Sequence, residues 1–133
     1  MVSTGQTKAA ARSTPAGSDE AINEVRLTGR LSSVPMTVEL PSGDSLVTFR
    51  VSVERPPATG RVSGSASGQR VDSIPCTAWT AVLRRRVVGW RPGDVVEVVG
   101  AVRCRFYQAG GATRSRVEVE ASSGRIIRRA PAA

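Results

Sequence analysis

The sequence has no histidine, a single lysine, and few aromatic side chains: two Trp, one Tyr and two Phe in 133 residues. Without histidine, the chain lacks the commonest general base and a common metal ligand. Cys76 and Cys104 cannot complete a zinc site by themselves, and the glycine-rich stretch lacks the Gly-Lys-Ser/Thr of a phosphate-binding loop. We therefore expect no enzyme, no metal, no cofactor and no small-molecule substrate.

Long apolar runs are also missing. No segment is apolar enough over the length needed to span a membrane, and the first residues lack the apolar core of a signal peptide. We expect a cytoplasmic protein, associated with the nucleoid if it binds DNA. Cys76 and Cys104 both lie in apolar stretches, which favours two buried thiols over a disulfide.

Positive charge is what the chain has in excess. The net charge is +8, and Lys8 is the only lysine, so nearly all of the positive charge is arginine. Residues 101–133 contain seven arginines against only Glu118 and Glu120. Arginine can fork onto phosphate and stack on bases, so an anionic partner such as nucleic acid is favoured. A codon preference for arginine is the alternative explanation.

Apolar residues alternate with polar ones in several short runs, which predicts half-buried strands. The predicted strands are 25–31, 36–40, 45–54, 72–79, 94–107 and 113–121, with a bulge or sharp coil at Gly29 and a bend at Gly100. A short helix within 80–90 would turn Leu83, Val87 and Trp90 to one side, with Trp90 in the core under the barrel. This order fits an all-β fold, a five-stranded Greek-key barrel of the oligonucleotide-binding (OB) kind with one short helix. We predict a disordered tail over 1–22, an OB domain over 23–127 and a short basic end over 128–133. Residues 55–70 read as a long loop.

Arg103, Arg105 and Tyr107 lie two residues apart in one predicted strand. Successive side chains of a strand point to opposite faces. Val102, Cys104 and Phe106 would therefore pack on the core while the two arginines and the tyrosine face outward. Two cations beside an aromatic ring suit single-stranded nucleic acid.

Other side chains join this predicted surface. Trp79 falls on the outer face of its strand, because Ile74, Cys76 and Ala78 occupy the other. The arginines expected to contact phosphate are Arg50, Arg55, Arg103, Arg105, Arg114 and Arg116. For those on the last two strands, ion pairing with Glu118 or Glu120, or a subunit interface, remains an alternative.

The chain resembles the bacterial single-stranded DNA-binding protein family over about residues 23–127. The stretches that carry the resemblance are NEVRLTGRLSSVP, VTFRVSVER, IPCTAW, WRPGDVVEVVGAVRCRFY and RVEVEASSGRII. The resemblance implies sequence-tolerant binding of single-stranded DNA in replication, repair or recombination. It implies base stacking on Trp79 and Tyr107, and a homotetramer.

The sequence departs from the family pattern in two ways. Two further stacking positions, in the region 54–57 and near Ser73, carry no aromatic ring, and each lost platform could remove about 1–3 kcal/mol of binding. The acidic, Phe-terminated tip of many members is not found in the final residues IIRRAPAA, so recruitment of partners through it is not expected. These departures leave two alternatives open: an adaptor that works through protein contacts, and an RNA-binding barrel.

Overall fold

Six strands and one helix make up the part of the chain that the computed structural model describes, residues 19–57 and 68–132. The predicted loop at 55–70 and tail at 1–22 lie largely outside these ranges. In chain order the elements are β1 (Val25–Leu31), β2 (Met36–Glu39), β3 (Ser45–Glu54), β4 (Val71–Ala78), α1 (Ala81–Val87), β5 (Val95–Ala109) and β6 (Ala112–Arg128).

Five of these strands close into a barrel. The sheet runs β1-β5-β6-β4-β3-β2, and a second pairing between β1 and β3 closes it, leaving β2 at the edge beside β3. β6 pairs with β4 in parallel and with β5 antiparallel. The predicted all-β, five-stranded barrel with one short helix is confirmed.

The core fills the barrel and is sealed by α1 at one end. Leu83 and Val87 of the helix are buried with Trp90, whose ring meets Phe49 edge to face at a centroid separation of 5.6 Å. The Thr80 hydroxyl accepts a hydrogen bond from the Leu83 N–H, which caps the helix. The helix positions predicted from the sequence as a core-facing stripe are therefore confirmed.

Two glycines are required by close backbone approach. A Cβ at Gly29 would collide with the Ser52 carbonyl, and one at Gly100 would collide with the Glu120 carbonyl. The register of β5 shifts between Val99 and Gly100, which confirms the predicted bend there. Of the two alternatives at Gly29, the bulge is wrong, because β1 pairs with β5 without interruption. The glycine allows the backbone of β3 to approach closely.

β5 and β6 extend past the barrel as a two-stranded hairpin of residues 102–117, which we call the arm. Its tip turns through Gly110 and Gly111, both at positive φ. The strand β6 is longer than predicted and continues to Arg128. In the described residues β1 pairs with β5 only up to Gly100 and β4 pairs with β6 only from Val119 onward, so no third strand joins the arm.

The face of the arm that continues the barrel interior is apolar and uncovered. Phe106 is 72% exposed, and Val102, Cys104 and Val117 are exposed as well. The prediction that Val102, Cys104 and Phe106 pack on the core is therefore wrong, and of the two thiols only Cys76 is buried. The alternation was read correctly, but among the described residues no element lies over this face.

The chain after β6 is fastened to the turn before β5 by a buried carboxylate. Asp94 accepts hydrogen bonds from the Arg91 N–H at 2.9 Å and the Ala130 N–H at 2.7 Å, and Arg129 lies 3.5 Å away. Burial opposes the charge, but these donors and cations outweigh it and hold the pKa of Asp94 below its ordinary value. No helix in the described ranges is long and apolar enough to cross a membrane.

Candidate nucleic-acid interface

Trp79 occupies the corner between β4 and α1. The strand ends one residue earlier than predicted, at Ala78, and Thr80 already caps the helix. The indole is half-buried, and the Arg84 Nε donates a hydrogen bond to the Trp79 carbonyl oxygen at 3.1 Å. Trp79 is therefore held at the backbone by α1, outside the barrel core.

The guanidinium of Arg105 lies over the Trp79 ring. Its central carbon is 5.2 Å from the ring centroid, within the range of a cation–π contact. The β5 strand of the arm thus brings Arg105 to the end of β4. This contact joins two residues that the sequence placed on separate predicted strands, and it unites two of the predicted site residues.

Two carboxylates hold that guanidinium in place. The Arg105 Nε donates to Glu118 Oε2 at 2.8 Å, and its Nη2 donates to Glu120 Oε1 at 3.3 Å. Glu120 also accepts from the Arg103 Nε at 2.9 Å. The ion pairing that the sequence offered as the alternative to phosphate contact is therefore present in this structure.

Glu118 is the most buried charged group of this surface. Its side chain is 5% exposed, and it accepts a hydrogen bond from Thr77 at 3.3 Å and lies 3.6 Å from Arg116. The strand register sets Arg105 directly opposite Arg116, and like charges at such positions are destabilising. Glu118 forms ion pairs with both arginines, so it compensates the repulsion between them. The alternating pattern placed it on this face but did not indicate its burial.

Tyr107 and Arg114 lie opposite each other further out on the arm. The tyrosine is 48% exposed, and Arg114 is exposed and has no ion-pair partner among the residues that the structure describes. Both share the outer face with Arg103 and Arg105. The arm therefore carries a ring and an unpaired cation beyond the ion-paired cluster.

Arg50 extends the same outer surface onto β3. Its Nε donates to the Ser73 hydroxyl at 2.9 Å and its Nη2 to the Ser73 carbonyl at 3.3 Å. Ser73 and Thr77 are on one face of β4, since they are an even number of residues apart. Arg50 thus covers one of the two positions where the sequence lacks an expected ring.

Arg55 lies elsewhere. It forms an ion pair with Asp72 at 2.8 Å, and Asp72 points to the face of β4 opposite to Ser73. The hydrogen bond from Arg55 lowers the pKa of Asp72, and the same contact raises the pKa of Arg55. Of the predicted site residues, Arg55 is the one whose ion-pair partner lies on the opposite face of β4.

The outer surface formed by Trp79, Arg50 and the outward side chains of the arm is called the basic face below. Five arginines belong to it, against two carboxylates: Arg50, Arg103, Arg105, Arg114 and Arg116 against Glu118 and Glu120. Within residues 19–57 and 68–132 no group of three His, Cys, Asp or Glu side chains could hold a metal ion. The basic face therefore combines a surplus of positive charge with the aromatic rings of Trp79 and Tyr107.

A closed five-stranded barrel with a helix at its end and a protruding hairpin is an OB fold. The family model described as the single-strand binding protein family matches residues 22–127. The chain belongs to this family.

Known relatives show moderate similarity. The chain is 30% identical over 105 residues to "Single-stranded DNA-binding protein 2" of Streptococcus agalactiae serotype III, covering 79% of this chain and 76% of that protein. It is 30% identical over 107 residues to "Single-stranded DNA-binding protein 3" of Listeria innocua, covering 80% of this chain and 64% of that one.

A solved structure shares the fold. The Plasmodium falciparum SSB in complex with ssDNA superposes with a TM-score of 0.64 at 18% identity, over 84% of this chain and 97% of that one. At this identity the likeness concerns the fold alone. It supports the barrel assignment independently of the family match.

Proposed function

We propose that the protein binds single-stranded DNA with little sequence preference on the basic face. The observation that carries the proposal is the convergence of a half-buried indole, an exposed phenol ring and five arginines on one outer surface of the barrel and arm. Aromatic rings stack on any base, and arginines neutralise phosphates, so both are sequence-tolerant. Membership of the single-strand binding protein family supports the same function.

In this proposal the side chains have separate roles. Trp79 and Tyr107 stack on bases, and Arg103, Arg105, Arg114, Arg116 and Arg50 contact phosphates. Arg50 lies against Ser73, where a ring is missing, and so offers a cation in place of a stacking platform. Arg55, paired with Asp72, contributes only if the strand passes to the other side of β4.

The experiment is a titration with oligo-dT at two salt concentrations. Tyr107→Ala and Trp79→Ala should each weaken binding about tenfold, because one stacked base is worth about 1–3 kcal/mol, and both should reduce fluorescence quenching. Phe106→Ala is the matched control: it removes a ring from the same arm, but from the opposite face. Equal affinity of all three variants and the wild type would refute the site.

Binding should also weaken steeply as salt rises, because phosphate contacts release counterions. Competition with a matched RNA oligomer tests the nucleic-acid class, and tighter binding of RNA would favour an RNA-binding barrel. We further propose roles in replication, repair or recombination and a homotetramer near the nucleoid.

An adaptor role is the second candidate. The apolar face of the arm favours it, since Phe106, Val117 and Val102 together expose a hydrophobic strip rather than isolated side chains. Sedimentation of the pure protein with and without oligonucleotide separates the two functions. A stable assembly that binds no oligonucleotide would favour the adaptor.

A further inference from the structure

The Trp79 ring is not open in the free protein, because the Arg105 guanidinium already lies over it. Stacked rings have centroids about 4.5–7 Å apart, and the guanidinium carbon is 5.2 Å from the indole centroid. Arg105 approaches from the basic face, the side from which nucleic acid would come. A base and this guanidinium cannot occupy the same side of the ring together.

Ion pairs, as well as the cation–π contact, hold the Arg105 guanidinium over the Trp79 ring. Glu118, 5% exposed, binds the Arg105 Nε at 2.8 Å, and Glu120 binds its Nη2 at 3.3 Å. The Arg105 side chain itself remains 41% exposed. The partly exposed Arg105 guanidinium is therefore held by two carboxylates, one of which is nearly inaccessible to solvent.

The arrangement leaves one polar atom unsatisfied. The Trp79 Nε1–H is buried and has no hydrogen-bond acceptor among the residues that the structure describes. An unpaired buried donor is unfavourable, and most such groups in folded proteins have a partner. This unpaired donor belongs to the side chain that the cation covers. A rearrangement that gives the Trp79 Nε1–H an acceptor would therefore be favourable.

We infer that Arg105 is a latch on the stacking site: Glu118 and Glu120 hold its guanidinium over Trp79, and a nucleobase must exchange with it. On release the guanidinium becomes available to a phosphate of the same strand. The two glutamates thus act as positioning residues that set how readily the ring opens. The inference rests on the proposed function, since the latch regulates the same binding site.

The first test needs no nucleic acid. Acrylamide quenching of tryptophan fluorescence reports how accessible Trp79 is, while Trp90, buried in the core, supplies a constant background. Arg105→Gln and Glu118→Gln should both increase the quenching constant of the accessible fraction, by about twofold. Arg114→Gln, which removes a cation of the same strand pair away from Trp79, should leave it unchanged. An unchanged constant in Arg105→Gln would overturn the latch.

The second test is a double-mutant cycle on affinity for oligo-dT. Glu118→Gln should tighten binding about fivefold in the wild-type background, the order of one ion pair that need not be broken. In the Arg105→Gln background the same change should have less than about a twofold effect. Equal tightening in both backgrounds would mean that Glu118 merely repels phosphate, which would overturn the inference.

A third outcome concerns how Arg105 is used. If Arg105→Gln weakens binding more than Arg114→Gln does, bases stack on the guanidinium rather than replace it, and the latch is refuted. Glu120→Gln, at a more exposed carboxylate that touches the same guanidinium, substitutes for Glu118→Gln should the latter fail to fold. If the wild type binds no oligo-dT, the proposed function fails, while the acrylamide result still decides whether Arg105 covers Trp79.

Discussion

The barrel and the arm follow the same alternation of apolar and polar residues, but only the barrel converts it into burial. In β5, Val96 and Val98 are fully buried, whereas Phe106, further along the same strand, is 72% exposed. Within the barrel, each inward side chain meets side chains from the opposite wall. The arm has only two strands, so its inward face meets nothing in the described part of the chain. Strand periodicity therefore predicts which residues share a face, while their burial depends on what lies opposite that face.

The largest difference between the barrel and the arm is expected in the reactivity of their two thiols. Burial raises the pKa of Cys76 to about 12, and the thiolate is the reactive form. Cys104 lies exposed on the arm. In native protein at pH 8, a disulfide reagent such as Ellman's reagent should titrate one thiol per chain, and the second should appear only after unfolding.

Two other results would change the comparison. Two fast-reacting thiols would mean that the barrel opens readily around Cys76. No reactive thiol would mean that a second copy of the chain covers the apolar face of the arm in solution. Repeating the titration on a Cys104→Ser variant assigns the fast thiol.

Aromatic truncations should separate the regions by stability. Trp90→Ala removes a ring packed against Phe49 and Gly124 inside the barrel, so the free energy of unfolding should fall by about 3–5 kcal/mol. Phe106→Ala on the arm should change it by no more than about 0.5 kcal/mol. Urea unfolding followed by circular dichroism measures both. A large loss for Phe106→Ala would show that the arm packs against a partner.

A smaller effect is expected where the chain after β6 returns to the barrel at Asp94. Because the pKa of Asp94 is lower in the folded protein than its ordinary 3.8, its charge stabilises the fold at neutral pH. That contribution is lost as the pH falls through the range below about 4. Asp94→Asn should lower the free energy of unfolding at pH 7 by about 1–3 kcal/mol, the cost of disrupted buried hydrogen bonds.

The same variant should flatten the decline of stability as the pH falls below about 4. Glu97→Gln provides the control: hydrogen bonds from Arg26 and Arg125 lower the pKa of Glu97, but both arginines are exposed and the loss should be smaller. An equal loss of unfolding free energy in the two variants would mean that the burial of Asp94 does not make its hydrogen bonds more important than those of Glu97.

Several parts of the candidate site could be predicted from local pattern. Alternation along β4 and β5 assigned Trp79, Arg105 and Tyr107 to outward faces, and the structure agrees. What could not be predicted were the contacts between strands distant in sequence. Nothing in the spacing of Arg105 and Trp79 shows that one lies over the other, because that contact depends on β6 lying between β4 and β5 in the sheet.

Glu118 illustrates the same limit. A carboxylate between arginines in a polar run is ordinarily solvated, and here it is 5% exposed. Its burial results from Thr77 on one side and two guanidiniums on the other. Arg55 is the opposite case, since a pair with Asp72 draws it away from the face where its charge was expected.

Periodicity and composition within short segments were enough to predict the strands, the helix, the core position of Trp90 and the cationic character of the last two strands. The positions of Arg105 over Trp79, of the enclosed Glu118 and of the exposed Phe106 could be seen only once the strands were assembled. Those outcomes depend on which strands become neighbours and where the barrel stops, which are properties of closure and not of any single segment.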